Sequence, residues 1–388
     1  RCYAKKRFKI YCYYMDSFQM SKDQTIAQQN MKSVIQRIAT GPELSKNISR
    51  EEAKQSMLDI LNGEIDPVQS AIFLIALRMK RETMDENLGV HDAIIETTES
   101  VNISTERLIN IADPYDGFSR NLPSSLFLLP IIAELGFPIL SHGVLSVGPK
   151  YGCTHNQTLR EIEYDTENSL DKIAERLESN KIGWAYADQS VFNPKLFDLM
   201  SLRKKIIKRP VITTVEVLVK PICSKHDEFF TGFVHKPYPP IYLELSRNAK
   251  FDSGTVIRGT EGGIIPSLRQ TGKVHFYNDA ADNDHFFEVK PEDIDINDSS
   301  RAVDIPKDIS KIETKDKIES KVDASDIAKA TMKLGLDALS GKDGQMKSCI
   351  HLGAAIILKR ITGNDLEVCS KEVLKVINSG SALKRMKL

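Results

Sequence analysis

The sequence lacks several features that would assign it quickly to a class of protein. It has no net charge, because 53 lysines and arginines balance 53 aspartates and glutamates, so composition gives no general attraction to nucleic acid or to an acidic membrane surface. It has no run of about 18 apolar residues, which argues against a transmembrane helix. Its six cysteines include no Cys-x-x-Cys pair, which favours reduced thiols in a cytoplasmic protein over a disulfide framework or a zinc site.

The first fourteen residues differ from the rest in composition. They carry five basic side chains, four tyrosines and no acid, and they lack the apolar stretch of a secretory signal. Two interpretations stay open for residues 1–22. They are a disordered or artefactual leader, with Met15 or Met20 as the natural start, or they are a true basic arm.

Residues 23–104 have the pattern of a helical domain. Ser49 and Glu52 match a capping box, and Asp66 stands before a proline at a second helix start. Thr83 opens a third helix in the same way as Ser49. Because the apolar residues after each start recur at helical spacing, the sequence predicts a small helix bundle.

Beyond residue 105, short apolar segments alternate with amphipathic ones. This alternation is typical of an α/β domain with a mixed or parallel sheet covered by helices, in which ligands bind at the carboxyl ends of the strands. The predicted strands are Leu108–Ala112, Ile139–Ser141, Ile182–Tyr186, Val211–Val219, Phe229–Val234 and Thr255–Arg258. Residues 278–326 are rich in Asp, Lys and Ser. We interpret them as an acidic insertion or mobile linker within a domain that spans residues 105–388.

The stretch Phe137–Gly152 is the most informative part of the chain. An apolar run predicts a buried strand, and His142 and Gly143 lie at its end, with Lys150 further along. Glycines let backbone N–H groups approach an anion, and a hydroxyl and an ammonium supply further contacts, so the pattern predicts a phosphate-binding loop. The other interpretation is a strand that runs into an ordinary turn.

These residues and the segments around them resemble anthranilate phosphoribosyltransferase and its relatives in glycosyl transferase family 3. The likeness covers roughly residues 45–385 and is poor near 270–325. It implies the nucleoside phosphorylase/phosphoribosyltransferase class of fold, with a small N-terminal helical domain and a larger α/β domain. It also implies a phosphorylated small molecule as the ligand and a homodimer formed through the helical domain.

The resemblance implies which residues hold the ligand, while no catalytic residue is assigned. The residues expected to bind phosphate or the phosphoribosyl group are Asn121, Ser124, Ser125, His142, Gly143, Ser146, Lys150 and Gly152. Arg203 falls where the family has an arginine that grips the carboxylate of the acceptor, and a planar guanidinium suits that bidentate contact. Simpler interpretations stay open. Ser124 and Ser125 are also typical helix caps, and Arg203 belongs to a basic run ending at Arg209 that is typical of a solvated helix face.

The sequence departs from the family at positions that carry its chemistry. The adjacent Asp-Glu that would bind Mg²⁺ is replaced by Ile264 and Ile265, which offer no side-chain oxygen, while Glu261 remains nearby. The glycine-rich loop keeps only Gly117, and the histidine of the acceptor pocket becomes Asn193. Mg²⁺ therefore stays open as a cofactor although its usual motif is absent, and no residue is assigned as a metal ligand.

Two functional classes follow from the sequence. In the first, the chain is a glycosyl or phosphoribosyl transferase on an unidentified acceptor, with the parent anthranilate reaction in doubt. In the second, it is a non-catalytic nucleic-acid-binding protein on the same fold. The stretch Arg258–Gly262, Arg-Gly-Thr-Glu-Gly, resembles divergent paralogues, some of which bind nucleic acid through a basic groove. The phosphate-binding pattern favours the first class, and the loss of the metal motif favours the second.

Overall fold

The N-terminal part of the chain is a bundle of helices. A computed structural model describes residues 25–41, 43–315 and 317–388, so the predicted leader at residues 1–22 lies outside the described residues. The helices of the bundle are α1 Ile26–Ile38, α2 Arg50–Leu61, α3 Pro67–Lys80 and α4 Met84–Glu96. Ser49 and Thr83 form capping boxes, and the Asp66 carboxylate accepts backbone N–H groups of α3. The three helix starts predicted from the sequence are confirmed.

The larger α/β part is built on a mixed sheet. The strands are β1 Val101–Asn102, β2 Leu108–Ala112, β3 Ile139–Gly143, β4 Trp184–Asp188, β5 Ile222–Cys223, β6 Asp227–Phe233, β7 Ser253–Arg258, β8 Gly272–Tyr277 and β9 His285–Val289. Within the described residues, the main sheet has seven strands in the order β4-β3-β2-β6-β7-β8-β9, and β1 pairs with β5 apart from it. The first five strands in this order, β4, β3, β2, β6 and β7, are parallel to one another. Strand β8 is antiparallel to β7, and β9 is antiparallel to β8. The predicted fold class is confirmed.

Helices cover both faces of this sheet. They are α5 Leu128–Glu134, α6 His155–Arg160, α7 Leu170–Glu178, α8 Gln189–Phe192, α9 Pro194–Phe197, α10 Met200–Ile206, α11 Ile212–Val215, α12 Tyr238–Asn248, α13 Ala324–Leu339, α14 Gln345–Thr362, α15 Leu366–Ser379 and α16 Ser381–Met386. Because strand residues alternate between faces, Ile109 and Ile111 join the core under the C-terminal helices, whereas Leu108 and Ala112 join the core shared with the bundle. No helix in the described ranges is long and apolar enough to cross a bilayer.

One predicted strand is wrong. The segment Val211–Val219 contains the short helix α11 and turns instead of a strand. It is buried between the bundle and α10, and Val211 N–H donates to the carbonyl of Leu74 in α3 at 3.3 Å. A short apolar run is buried equally well as a strand or as a helical turn, so its periodicity does not distinguish them.

Residues 278–326 pack into the domain, so the interpretation of this segment as a mobile linker is corrected. Strand β9 lies within it, and Val289, Ile294, Val303 and Val322 are buried in the core under the C-terminal helices. These apolar anchors are widely spaced among acidic residues, which hid them in a composition-based interpretation. The domain boundary predicted near residue 104 stays a prediction. One hydrophobic core contains residues from both sides of it.

The helix bundle carries exposed apolar side chains. Ile26, Val68 and Met79 are 78%, 66% and 75% exposed, and the last two lie on α3. The homodimer implied by the resemblance stays a prediction.

Candidate functional site

The loops that follow β2, β6 and β7 meet at one edge of the sheet, because the carboxyl ends of parallel strands lie together. They border a cleft, which is closed on the other side by Arg78 of α3 and by Tyr238 and Tyr242 of α12. The cleft encloses about 840 Å³ when the open solvent at its mouth is included. Its charged lining includes Asp116, Arg209 and Glu261 together with Arg78.

His142 lies near the end of β3, where the sequence places it, but it is buried and uncharged. Its Nδ1 is 2.6 Å from the Tyr115 hydroxyl, and its Nε2 has no hydrogen-bond partner among the described residues. Burial lowers the pKa of His142 to about 3, since a charged imidazole is poorly solvated there. His142 therefore brings no positive charge to the site at neutral pH.

Lys150 is the cation of the predicted phosphate-binding loop, and its charge is already balanced. The residue is buried, and its Nζ lies 3.6 Å from Oδ1 of Asp116 and 3.4 Å from Oε2 of Glu261. The same ammonium is 5.8 Å from the centre of the Phe118 ring. Two carboxylates of the chain thus occupy the space around Lys150 that an anionic ligand would take.

The rest of this loop shapes the site through its backbone. Gly152 N–H donates to the carbonyl of Asp116 at 2.9 Å, and a Cβ at Gly152 would lie 2.5 Å from the carbonyl oxygen of Phe118. Only glycine allows this close approach of the two loops. Gly143 ends β3 beside Tyr186, and Ser146 is partly exposed.

Glu261 binds the loop after β2 through successive backbone N–H groups. Its Oε1 accepts from Arg120 N–H at 2.8 Å and from Asn121 N–H at 3.0 Å. Its Oε2 accepts from the N–H and the hydroxyl of Ser119 at 3.1 and 3.3 Å. The backbone N–H groups of residues 119–121, called here the nest, form the kind of concave donor set that binds oxyanions.

Ser124, Ser125 and the side chain of Asn121 lie behind the nest. Ser125 Oγ donates to Asp113 and lies 2.9 Å from Nε2 of His155, so this hydroxyl is buried in a hydrogen-bonded cluster. The Asn121 amide donates to a main-chain carbonyl at 3.4 Å. Neither serine caps the following 3₁₀ helix with its side chain, so the capping interpretation is wrong. Their phosphate-binding role stays a prediction.

Arg203, predicted to grip an acceptor, is 3% exposed and forms a bidentate ion pair with Glu216. Both of its terminal nitrogens lie 2.6 Å from the two oxygens of that carboxylate. The guanidinium is therefore occupied within the protein, and an acceptor carboxylate would have to replace Glu216. The other basic residues of this run are exposed, as the solvated-face interpretation predicts: Lys204, Lys205, Lys208 and Arg209.

Comparison with known proteins agrees with this architecture. Residues 32–98 match the glycosyl transferase family, helical bundle domain. An uncharacterized protein of Aquifex aeolicus is 31% identical over 224 residues, which cover 57% of this chain and 65% of that protein. The anthranilate phosphoribosyltransferase of Methanopyrus kandleri is 28% identical over 286 residues, 72% of this chain and 78% of the enzyme. The chain is an anthranilate phosphoribosyltransferase-like protein.

A solved relative shows how far the likeness of fold extends. The structure of anthranilate phosphoribosyltransferase from Saccharomyces cerevisiae in complex with PRPP and Mg has a TM-score of 0.71 at 14% sequence identity. The superposition covers 92% of this chain and 95% of the yeast chain. At this identity the likeness is one of fold, so the chemistry of this anthranilate phosphoribosyltransferase-like protein rests on its own side chains.

The position of the family's metal motif does not fit Mg²⁺ in this chain. Ile264 and Ile265 are 1% and 7% exposed and belong to the core under the C-terminal helices. The backbone N–H of Ile264 donates to Asp113 Oδ1 at 3.1 Å, which commits a nearby carboxylate to the fold. In the described part of the chain, no three His, Cys, Asp or Glu side chains are grouped to hold a metal.

The side chain of Asn193 is also used in hydrogen bonds within the protein. Its amide nitrogen donates to the carbonyl of Ile94 at 3.1 Å and to the hydroxyls of Thr97 and Thr98 at 3.1 and 2.9 Å. Its side-chain oxygen accepts from Leu196 N–H at 3.0 Å and caps α9. The residue that replaces the family's pocket histidine thus fastens the end of α4 to α9.

Four charged residues that line the cleft were not predicted as site residues: Arg78, Asp116, Arg209 and Glu261. Arg209 donates two hydrogen bonds to Oδ2 of Asp116, at 3.1 and 2.6 Å, and its side chain is 42% exposed. Glu261 was noted only as a leftover carboxylate. In the sequence, Asp116 and Glu261 each stand directly before a glycine, and no local pattern links them to their partners, which are distant in the chain.

The buried pair of Arg203 and Glu216 generates a stability prediction. Arg203→Met and Glu216→Met should each lower the free energy of unfolding by about 3 kcal/mol or more, because each leaves a buried charge without its partner. The double variant should lose clearly less than the sum of the two. Urea unfolding measures all three, with Lys204→Met as an exposed control that should change stability by less than about 0.5 kcal/mol. Additive losses would contradict a direct pair.

Proposed function

We propose that this chain binds a phosphate-bearing small molecule in the cleft and does not catalyse Mg²⁺-dependent transfer to anthranilate. The observation that carries the proposal is the arrangement of donors around the chain's own carboxylates. The nest at residues 119–121 holds Glu261, and Lys150 and Arg209 both contact Asp116. A place where N–H groups and two cations converge on carboxylates is suited to oxyanions, and phosphate oxygens are stronger charge-assisted acceptors.

The position of the cleft supports a ligand that extends beyond its phosphate. Arg78 is held by Glu82 at 2.8 Å and by the Tyr238 hydroxyl at 2.7 Å, opposite the strand ends. Tyr238 and Tyr242 offer an apolar wall next to these polar groups. A mixed lining of this kind fixes both the charged and the apolar parts of a small molecule. The yeast relative, whose structure is a complex with PRPP and Mg, suggests phosphoribosyl pyrophosphate as the first probe.

Side chains at three positions are unsuited to the parent reaction. The metal position holds two core isoleucines, Ile264 and Ile265. The guanidinium of Arg203 is paired with Glu216, and Asn193 caps α9. At each position that the family would use for the metal or the acceptor, the side chain of this chain takes part in the fold instead. We therefore assign the chain a binding function and no catalytic residue.

Lys150→Ala tests the binding function. Titration calorimetry with phosphoribosyl pyrophosphate should show binding to the unaltered chain, weakened in the variant by about 1.5–3 kcal/mol, the scale of a lost charge-assisted contact. This corresponds to roughly a 10- to 150-fold rise in Kd. Lys172→Ala, which removes an exposed lysine from α7, should leave Kd unchanged. No measurable binding to the unaltered chain, or equal binding to both lysine variants, would refute the proposed site.

The second test concerns turnover. The purified chain, given phosphoribosyl pyrophosphate, anthranilate and Mg²⁺, should consume anthranilate no faster than a protein-free mixture, because no carboxylate pair stands at the metal position. Loss of anthranilate fluorescence measures the reaction, and the yeast anthranilate phosphoribosyltransferase serves as the positive control. Mg²⁺-dependent product formation above the blank would show that other carboxylates hold the metal.

Nucleic-acid binding is the second candidate, favoured by the exposure of Lys204, Lys205 and Lys208 beside the cleft-lining Arg209. We rank it below the small ligand because Arg203 and Arg209 of this run are paired with carboxylates. Duplex and single-stranded DNA should therefore bind no more tightly than non-specific contacts allow at roughly 150 mM salt. Fluorescence anisotropy of labelled DNA measures this. Submicromolar binding that the Lys204→Ala/Lys205→Ala double variant abolishes would establish this alternative instead.

A further inference from the structure

Glu261 has an unfavourable backbone conformation that its side-chain contacts must stabilise. Its φ of 54° and ψ of 13° lie in the left-handed region, which non-glycine residues adopt at a cost in free energy. The carboxylate accepts four hydrogen bonds from residues 119–121. These bonds join segments about 140 residues apart in the chain, so they depend on the tertiary structure.

Glu261 is also one of the residues that line the cleft. Its side chain is 8% exposed. The cleft is open to solvent beside Arg209, whose side chain is 42% exposed. If the Glu261 carboxylate moved into the cleft, the N–H groups of residues 119–121 would lose this acceptor.

We propose that Glu261 is an internal competitor for the oxyanion site, so that its carboxylate occupies the nest and must be displaced before a phosphate binds there. This inference rests on the proposed binding function and adds its regulation. Phosphate and pyrophosphate carry more charge than a carboxylate, so they gain more from the N–H groups and from Lys150. Because the competing carboxylate belongs to the same chain, the apparent affinity for phosphate is the intrinsic affinity multiplied by the fraction of molecules whose nest is free.

The charge balance around Lys150 agrees with this role. Its ammonium contacts Glu261 at 3.4 Å and Asp116 at 3.6 Å, so departure of Glu261 would leave Lys150 with one carboxylate and room for another anion. Asp116 differs from Glu261 because it contacts the two cations, Lys150 and Arg209, and is not bound by the nest. The two carboxylates can therefore be separated experimentally.

Two variants of Glu261 and one of Asp116 test the competitor. Glu261→Gly removes the carboxylate and suits the left-handed backbone, while Glu261→Gln keeps the size and removes the charge. The probe is inorganic pyrophosphate, titrated by calorimetry without Mg²⁺. We expect Glu261→Gly to bind at least roughly tenfold more tightly than the unaltered chain, with Glu261→Gln between the two. Asp116→Asn removes the same charge beside Lys150 but leaves the nest filled, so its gain should be clearly smaller.

A second measurement detects the emptied nest directly. Inorganic phosphate should raise the melting temperature of Glu261→Gly more than that of the unaltered chain, because the anion refills donors that the substitution exposes. Equal pyrophosphate affinity in the unaltered chain and both Glu261 variants would overturn the inference. So would an Asp116→Asn gain as large as that of Glu261→Gly, or failure of both Glu261 variants to fold.

Binding to the unaltered chain and binding to the Glu261 variants distinguish failure of the competitor from failure of the proposed binding function. If the unaltered chain binds neither pyrophosphate nor phosphoribosyl pyrophosphate while Glu261→Gly binds pyrophosphate, the binding function fails and the competitor stands. If the unaltered chain binds and the Glu261 variants gain nothing, the binding function stands and the competitor fails.

Discussion

The interaction on which the site depends is the contact of the Lys150 ammonium with Asp116 and Glu261. It joins three loops, those that follow β2, β3 and β7, at the edge of the sheet where parallel strands end. Without it, Asp116 would keep Arg209 as its counter-charge, whereas the largely buried Glu261 carboxylate would lose its ion pair, at a cost in free energy. The lysine therefore links the three loops beside the cleft and the nest.

A consistent change separates this chain from the enzymes whose fold it shares. At the positions where the resemblance implies ligands for a metal or an acceptor, this chain has residues with internal partners. Ile264 and Ile265 fill the core, Asn193 fastens α4 to α9, and Arg203 is neutralised by Glu216. The fold survives such changes because it rests on the sheet and its two cores, whereas chemistry rests on a few side chains at the strand ends.

Features that depend on neighbouring residues were predicted well. The capping box at Ser49 and the strand Leu108–Ala112 have the expected bounds, because caps and apolar periodicity act within a few residues. The prediction failed at Val211–Val219, because a short apolar run can be buried either as a strand or as a helical turn. It also failed at residues 278–326, where apolar anchors are far apart and only the finished core shows that β9 belongs to the sheet.

The sequence by itself determined the fold class, the helix starts and the position of His142 and Gly143 at the end of a buried strand, with Lys150 in the loop that follows. Tertiary structure alone decided what these residues contact. Glu261 lies 142 positions from Ser119, and Arg209 lies 93 positions from Asp116, so no local pattern links them. Charge and hydrogen-bonding capacity can be read from the chain, but which donor meets which carboxylate is set by how the sheet brings its strand ends together.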